Sequence, residues 1–137
     1  MVVDKELERW IRGHEGYNNK HYIDTVGKFT IGFGRNIQDN GINQEEAELM
    51  FQNDLKRSIK ELEQYSWYLI QPGGVKKALI NMNFNLGINH FITFTKMIVA
   101  LVNRDYTQAS IEALDSKWAE QVGQRAKDIA VMIREGK

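Results

Sequence analysis

The sequence predicts an α+β fold, mostly helical, in which a small N-terminal hairpin lobe and a larger helical lobe are joined by a long helix. Three observations support this prediction. β-Branched and aromatic residues surround a turn within residues 22–31, which is typical of a hairpin. Apolar residues keep helical spacing over residues 43–65. After Pro72, the only proline, every remaining segment has a helical pattern.

A chain of 137 residues has the length of one domain, so we predict that residues 1–137 form a single domain. Within it, residues 13–65 form the lobe with the hairpin and the long helix, and residues 1–12 with 66–137 form the helical lobe. Hydrophobic residues make up 42% and charged residues 26%, which is ordinary for a soluble globular protein. No apolar run reaches the ~18 residues of a membrane-spanning helix, so we expect synthesis in the cytoplasm without membrane insertion.

Composition excludes several kinds of site. Without cysteine the chain has no disulfide, thiolate nucleophile or cysteine metal site. The three histidines, His14, His21 and His90, lack the helical spacing of a zinc site, so no metal or cofactor is expected. With 18 basic and 18 acidic residues the net charge is zero, which gives no general attraction for a nucleic acid.

The first two elements predicted are a helix and a hairpin. Residues 3–15 have the apolar stripe of a helix, which Gly16 ends, and Trp10 lies on that stripe, so we expect its side chain in the core. The hairpin strands at residues 22–23 and 29–31 flank a turn over residues 24–28. The second strand is followed by closely spaced glycines, which indicate a bulge or a close approach of the backbone to a ligand.

The long helix begins at Asn43, where the pattern Asn-x-x-Glu predicts a capping box with Glu46. Asp54 falls on the apolar stripe of this helix, where an unpaired carboxylate is expensive to bury. We therefore predict an ion pair between Asp54 and Arg35. Beyond a break at residues 71–74, four helices are predicted at residues 75–86, 94–102, 106–114 and 122–133.

Three polar residues near the hairpin form a candidate catalytic set. Glu15 closes the first helix, where the negative end of the helix dipole favours a protonated carboxyl group, as a general acid requires. Asp24 opens the turn, and glycoside hydrolysis uses two carboxyl groups of this kind. The alternative is structural, because Glu in a last helical turn, Asp in a turn and Thr30 in a strand are all common.

The combined pattern Glu15-x8-Asp24-x5-Thr30, followed by I-G-x-G, resembles the signature of the phage-type lysozymes of glycoside hydrolase family 24, the T-even phage lysozymes in particular. Further segments resemble the same family, at residues 40–62, 78–87 and 116–126, so the resemblance covers most of the chain. It implies a lysozyme-like fold. It also implies hydrolysis of the β-1,4 bond between N-acetylmuramic acid and N-acetylglucosamine in bacterial peptidoglycan, with inversion at the anomeric carbon.

The resemblance also implies a role for each matching residue. Glu15 would be the general acid, and Asp24 and Thr30 would hold the attacking water. Arg125 matches a family arginine that pairs with the catalytic glutamate. Arg35 and Asp54 match a structural ion pair of the family. The positions that match the sugar-binding cleft are Gly32, Gly34, Asn36, Phe84 and Asn85.

The sequence does not decide the role of every aromatic residue. Phe84 is equally consistent with a core residue, and Trp67 is assigned neither to the core nor to sugar stacking, whereas Trp118 matches a packed family tryptophan. The resemblance implies an endolysin that leaves the host cytoplasm with the help of a separate holin and acts on the cell wall, and we expect a monomer. The alternatives are a non-catalytic peptidoglycan-binding or phage structural module on the same fold, and a lytic transglycosylase.

Overall fold

The computed structural model describes residues 3–137. They fall into two compact units, of which the first ends at Leu49 and the second begins at Met50. The first unit includes the first helix and the hairpin, and the predicted lobes, residues 13–65 and residues 1–12 with 66–137, stay a prediction. Residues 1 and 2, which the prediction assigns to the helical lobe, lie outside the described residues. That residues 1–137 form a single domain stays a prediction.

The first unit is built around a small antiparallel sheet with the strand order β1-β2-β3. Thr30, on the middle strand, pairs with Tyr22 on one side and with Asn36 on the other. The predicted hairpin is confirmed, and a third strand of two residues was missed because so short a segment has no readable alternation. In chain order the elements are α1 (Lys5–Glu15), β1 (Asn18–Ile23), β2 (Phe29–Gly32), β3 (Arg35–Asn36) and α2 (Ile37–Asn40).

Local hydrogen bonds set both ends of α1. The Asp4 carboxylate accepts from the Leu7 N–H at 2.8 Å. At the other end Gly16 adopts a φ of +68°, and its N–H donates to the Arg12 carbonyl at 2.9 Å. The predicted helix and its end at Gly16 are therefore confirmed.

The apolar face of α1 is not covered. The side chain of Trp10 is 64% exposed, and within residues 5–15, all of which the structure describes, no residue is buried. The prediction that Trp10 belongs to the core is therefore wrong. Helical spacing shows that apolar residues share a face, but only tertiary packing decides whether another element covers that face.

The helix α3 (Gln44–Leu62) begins with the predicted capping box. The Asn43 Oδ1 atom accepts from the Glu46 N–H at 2.9 Å, and the Glu46 Oε1 atom accepts from the Asn43 N–H at 2.9 Å. These reciprocal bonds satisfy two N–H groups that the start of a helix leaves without helical partners. The cap predicted from Asn-x-x-Glu is thus confirmed.

Arg35 and Asp54 each bind a residue of their own unit, and the ion pair predicted between them stays a prediction. Arg35 donates through Nη1 and Nη2 to the two carboxylate oxygens of Glu46, at 3.1 and 2.5 Å, and also through Nη1 to the Gly41 carbonyl at 2.9 Å. Asp54 binds Arg57 at 2.9 Å and is 42% exposed. Asp54 is not deeply buried, so the cost of burying an unpaired carboxylate, on which the prediction was based, does not apply. Glu46 offers Arg35 a contact with two carboxylate oxygens.

The second unit continues α3 and is otherwise made of helices. Over residues 3–137 no helix is both long and apolar enough to span a membrane. The predicted helices at residues 75–86, 94–102 and 106–114 are confirmed within a few residues, and the one at 122–133 is divided at Gly123. In chain order the elements are α4 (Ser66–Leu69), α5 (Gly73–Leu86), α6 (Ile88–Phe91), α7 (Thr95–Val102), α8 (Tyr106–Leu114), α9 (Lys117–Val122) and α10 (Gln124–Glu135).

The core of the second unit lies among its helices. α10 packs against α8 and α5, and α7 packs against α8. Trp118 is buried, which confirms its assignment to the core, and its indole N–H donates to the Asn85 Oδ1 atom at 2.7 Å. Trp67 is partly buried and stacks almost parallel on Phe91, with 5.8 Å between the ring centroids, so it also belongs to the packing around this core. Fully buried side chains include Leu79, Met82, Met97, Leu101, Ile129 and Ile133.

A buried amide joins three helices of this unit. Gln71 lies in the predicted break before α5, and its Nε2 group donates to the carbonyls of Trp67 at 2.7 Å and Leu101 at 3.0 Å. Its Oε1 atom accepts from the Tyr106 hydroxyl at 2.7 Å. The Gln71 side chain therefore connects α4, α7 and α8 through hydrogen bonds that are buried or partly buried.

We expect Gln71→Ala to lower the free energy of unfolding by about 2–3 kcal/mol, because the buried Leu101 carbonyl and Tyr106 hydroxyl lose this partner. Gln64→Ala is the matched control, since the exposed Gln64 amide donates to the Lys60 carbonyl, and its effect should be within about 0.5 kcal/mol. Urea unfolding at neutral pH measures both variants. Equal losses would contradict the structural role assigned to Gln71.

The charge of Glu46 links stability to pH. The hydrogen bond from Arg35, and after it the bond from the Asn43 N–H, holds the pKa of Glu46 below its ordinary value. The carboxylate therefore stabilises the fold above the unfolded-state pKa of about 4.3. This contribution is lost as the pH falls through the lower pKa of the folded state.

We expect Glu46→Gln to lower the midpoint of thermal unfolding at neutral pH, with a difference from wild type that shrinks toward zero by about pH 2, where both side chains are neutral. Glu45→Gln removes an exposed charge from the same first turn of α3 and controls for the helix dipole and the net charge. Circular dichroism during heating at a series of pH values measures the midpoints. A difference that did not change with pH would mean that the Glu46 charge does not stabilise the fold.

Candidate active site

The Asp24 carboxylate organises the hairpin turn. Its Oδ1 atom accepts from the Val26 N–H at 3.0 Å and from the Lys28 N–H at 2.9 Å. The main chain closes the same turn, since the Asp24 N–H donates to the Lys28 carbonyl at 2.9 Å and the Gly27 N–H donates to the Asp24 carbonyl at 3.0 Å. All these bonds lie within residues 24–28, so the turn itself sets the orientation of the carboxylate.

These bonds favour the ionised form of Asp24. The Lys28 N–H is the main cause that holds the pKa of Asp24 below its ordinary value, with further lowering from Val26, Thr30 and Gly27 and an opposing effect of burial. At neutral pH Asp24 is therefore a carboxylate, which accepts hydrogen bonds and has no proton to donate. This charge state suits a base and not an acid.

The Thr30 hydroxyl lies next to this carboxylate. Its Oγ1 atom is 3.4 Å from the Asp24 Oδ2 atom and 3.0 Å from the Lys28 carbonyl oxygen. A hydroxyl has one hydrogen, so it donates to one of these two acceptors at a time. Thr30 is 2% exposed and Asp24 is partly buried, so the contact is largely shielded from water. The structure thus brings together two of the three predicted catalytic residues.

Glu15, the third, is the last residue of α1 and is exposed. Its carboxyl group lies against the backbone of Gly34, so closely that a β-carbon added to Gly34 would overlap the Oε2 atom. Gly34 follows β2, the strand that contains Thr30. All three predicted catalytic residues therefore belong to the first unit, on α1, on the hairpin turn and on β2.

The two glycines predicted to face a sugar have backbones that favour glycine. Gly32 and Gly34 have φ values of +69° and +73°, in the left-handed region that residues with a β-carbon rarely adopt. The interruption that the sequence indicates after the second strand is therefore present, as the turn between β2 and β3. A contact between these backbones and a saccharide stays a prediction.

The other predicted sugar-binding residues have partners within their own units. Asn36 caps α2 through its side-chain oxygen. The side-chain oxygen of Asn85 accepts from Trp118. Phe84 is 37% exposed and faces Phe51 with 5.6 Å between the ring centroids, so it is neither a fully buried core residue nor a fully free ring. Their contacts with a saccharide stay predictions.

Arg125, near the start of α10, is held by α5. Its Nε group donates to the Asn81 Oδ1 atom at 2.9 Å, and Nη2 donates to the Asn81 carbonyl at 3.3 Å. The two residues are 44 positions apart, so no local pattern could have revealed Asn81 as a partner. The pairing of Arg125 with Glu15 stays a prediction.

Sequence reasoning also missed the N–H donors that hold Asp24. A signal for them was present, because an Asp that opens a turn commonly accepts from N–H groups two or more positions later. Glu46 as the partner of Arg35 had a weaker signal. Its place in the capping box was recognised, but that pattern concerns Asn43 and says nothing about a second contact.

Comparison with known proteins adds independent evidence about family. The model of the family described as phage lysozyme matches residues 12–134. Two proteins of Dictyostelium discoideum, "Probable T4-type lysozyme 1" and "Probable T4-type lysozyme 2", are 25% and 24% identical to this chain. Each of these alignments covers 95% of the chain and 94% of the relative.

The chain is also similar to part of a larger protein. The "Pre-baseplate central spike protein Gp5" of Enterobacteria phage T4 is 28% identical, in an alignment that covers 95% of this chain and 28% of the spike protein. Since the family match extends over most of the chain and includes the hairpin and both units, the protein belongs to the phage lysozyme family and is a glycosidase of the lysozyme type.

Proposed function

We propose that this protein is an endolysin that hydrolyses the β-1,4 bond between N-acetylmuramic acid and N-acetylglucosamine in bacterial peptidoglycan, with inversion at the anomeric carbon. The observation that supports this most directly is the ionised Asp24 carboxylate held beside Thr30, in the same unit as Glu15. An acid and a base in separate environments are what an inverting glycosidase needs. The similarity to proteins named as probable T4-type lysozymes supports lysozyme activity.

In the proposed reaction the two carboxyl groups act on opposite faces of one sugar ring. Glu15 is protonated at the start and gives its proton to the oxygen of the leaving sugar as the bond from that oxygen to C1 breaks. Asp24 orients a water molecule and takes one of its protons as the water oxygen bonds to C1 from the other side. One water is consumed, and proton exchange with solvent restores both carboxyl groups.

Thr30 acts through Asp24 in this proposal. Because its side chain is buried and its hydroxyl lies within reach of the Asp24 Oδ2 atom, we assign the contact with water to Asp24 and the orientation of Asp24 to Thr30. The N–H groups of Val26 and Lys28 hold the other oxygen, Oδ1. With one oxygen fixed and the second supported by a hydroxyl, the carboxylate has little freedom to turn away from a bound water.

Binding of the glycan is assigned to a few backbone and side-chain groups. The backbones of Gly32 and Gly34, free of β-carbons, allow a close approach to a sugar. The partly exposed ring of Phe84 offers an apolar surface, and the amides of Asn36 and Asn85 are oriented by the contacts described above. Such a mixture of apolar surface and fixed polar groups is typical of small-molecule sites.

Arg125 is proposed to pair with Glu15 and to hold its carboxyl group in position. The support is its bond to Asn81, which holds the guanidinium on the side of α5, together with the resemblance of Arg125 to a family arginine in the sequence. Arg35 is assigned a structural role, in which it binds Glu46.

We further propose that the protein acts as a monomer on the cell wall after release from the host cytoplasm, and that a separate holin provides the route through the membrane.

We expect wild-type protein to lyse permeabilised Gram-negative cells and Glu15→Gln to reduce the rate by about 10²-fold or more, because the amide cannot supply the proton. Loss of turbidity measures lysis. Glu6→Gln, which removes an exposed charge from the first turn of the same helix, is the control and should lyse cells at nearly the wild-type rate. Equal lysis by wild type and Glu15→Gln would remove the basis of the proposal.

The stereochemistry is tested on the products. We expect reducing ends that are first formed as the α-anomer, as inversion at a β-linked carbon requires, and proton magnetic resonance during the first minutes separates the two anomers. Mass spectrometry of the same products distinguishes hydrolysis from transglycosylation, because a lytic transglycosylase leaves anhydro-muramic ends. A β-anomer or anhydro ends would contradict the role assigned to Asp24.

A second candidate function is a module of a phage structural protein. The observation that favours it is the similarity to a part of the central spike protein, of which this chain covers 28%. In its non-catalytic form such a module would bind purified sacculi without releasing reducing ends. The product analysis above therefore separates this candidate from the endolysin.

A further inference from the structure

We propose that Gly34 is a positioning residue for Glu15, because the absence of a β-carbon at this position leaves the space that the Glu15 carboxyl group occupies. The inference rests on the proposed function, in which Glu15 is the proton donor. It concerns a contact within the first unit, between the end of α1 and the turn after β2.

The comparison with Gly32 separates this contact from ordinary backbone strain. Both glycines have positive φ values, +69° and +73°, so an L side chain at either position would strain the backbone. Their surroundings differ. A β-carbon added to Gly32 would meet no atom within 4 Å, whereas one added to Gly34 would overlap the Oε2 and Cδ atoms of Glu15 and lie 3.2 Å from its Cγ atom.

The overlap is expected to displace Glu15 without unfolding the protein. The carboxyl group is the end of a flexible side chain, and Glu15 is exposed, so it can rotate away from an added methyl group. Rotation moves the proton donor relative to the glycosidic oxygen. A displacement of about 1 Å in a catalytic group can lower the rate by about 100-fold, so the effect should fall on catalysis.

The decisive variant is Gly34→Ala, with Gly41→Ala as the matched control. Gly41 belongs to the same unit and has a φ of +60°, but a β-carbon there would meet no atom within 4 Å. With soluble peptidoglycan strands as substrate, we expect Gly34→Ala to lower kcat about 100-fold, a larger change than any rise in KM from disturbing the sugar contact assigned to this backbone. Gly41→Ala should keep both constants within about threefold of wild type.

A second variant keeps the test valid if Gly34→Ala does not fold, which circular dichroism shows directly. Gly34→Asn adds the same β-carbon, and Asn adopts positive φ values more readily than Ala. It should therefore fold better and lower kcat to a similar extent. Wild-type kcat in folded Gly34→Asn overturns the inference.

The position of Glu15 is measured independently of catalysis. In protein labelled with ¹³C-glutamate, the carboxyl signal of Glu15 is assigned as the one lost in Glu15→Gln. We expect this signal to move in both Gly34 variants and to stay in place in Gly41→Ala. An unmoved signal in the Gly34 variants overturns the inference whatever the rate, since Gly34 would then act through the saccharide.

The two readouts distinguish the inference from the proposed function. If wild type releases no reducing ends, the proposed function fails, and a moved Glu15 signal would still support the contact itself. If wild type hydrolyses the strands and the signal moves but kcat is unchanged, the contact does not position the acid and the inference fails. A moved signal together with a lowered kcat supports it.

Discussion

The candidate site depends on the hydrogen bonds that Asp24 accepts from its own turn. The N–H groups of Val26 and Lys28 fix one carboxylate oxygen, and the Thr30 hydroxyl lies beside the other. The same bonds keep the carboxylate ionised, because each stabilises the charged form. One small turn thus largely sets the orientation and the charge of the group proposed to act as base, and its two main-chain donors cannot be removed by changing a side chain.

Backbone conformation places Glu15 in a similar way. Gly16, with a positive φ, ends α1 immediately after Glu15, and Gly34, also with a positive φ, lies close to the Glu15 carboxyl group. Acid and base are therefore positioned by main-chain geometry at a helix end and at two turns.

Polar side chains in the structure often satisfy two structural needs at once. Glu46 completes the capping box of α3 and receives the guanidinium of Arg35, so the start of the helix and the end of the sheet share one carboxylate. Gln71 likewise joins three helices of the second unit through one amide. Shared partners of this kind leave fewer buried groups unsatisfied, and they make each contributing residue harder to replace.

Features that depend on a few neighbouring residues can be predicted from the sequence. These include the end of α1 at Gly16, the hairpin around Asp24 and the capping box at Asn43, because hydrogen bonds within three or four positions and the φ preference of glycine decide them. The motif of Glu15, Asp24 and Thr30 belongs to the same local class, and its spacing was sufficient to indicate the family that the comparison then matched.

Burial and the choice of distant partners depend on how the helices and strands pack together. Trp10 and Trp118 both lie on helices, yet one is exposed and the other is buried against Asn85. Arg35 and Arg125 likewise bind partners that lie 11 and 44 positions away in the sequence. A helical or strand pattern shows which side chains share a face, because it depends on residues a few positions apart. Whether that face is covered, and by which group, depends on where remote segments of the chain pack.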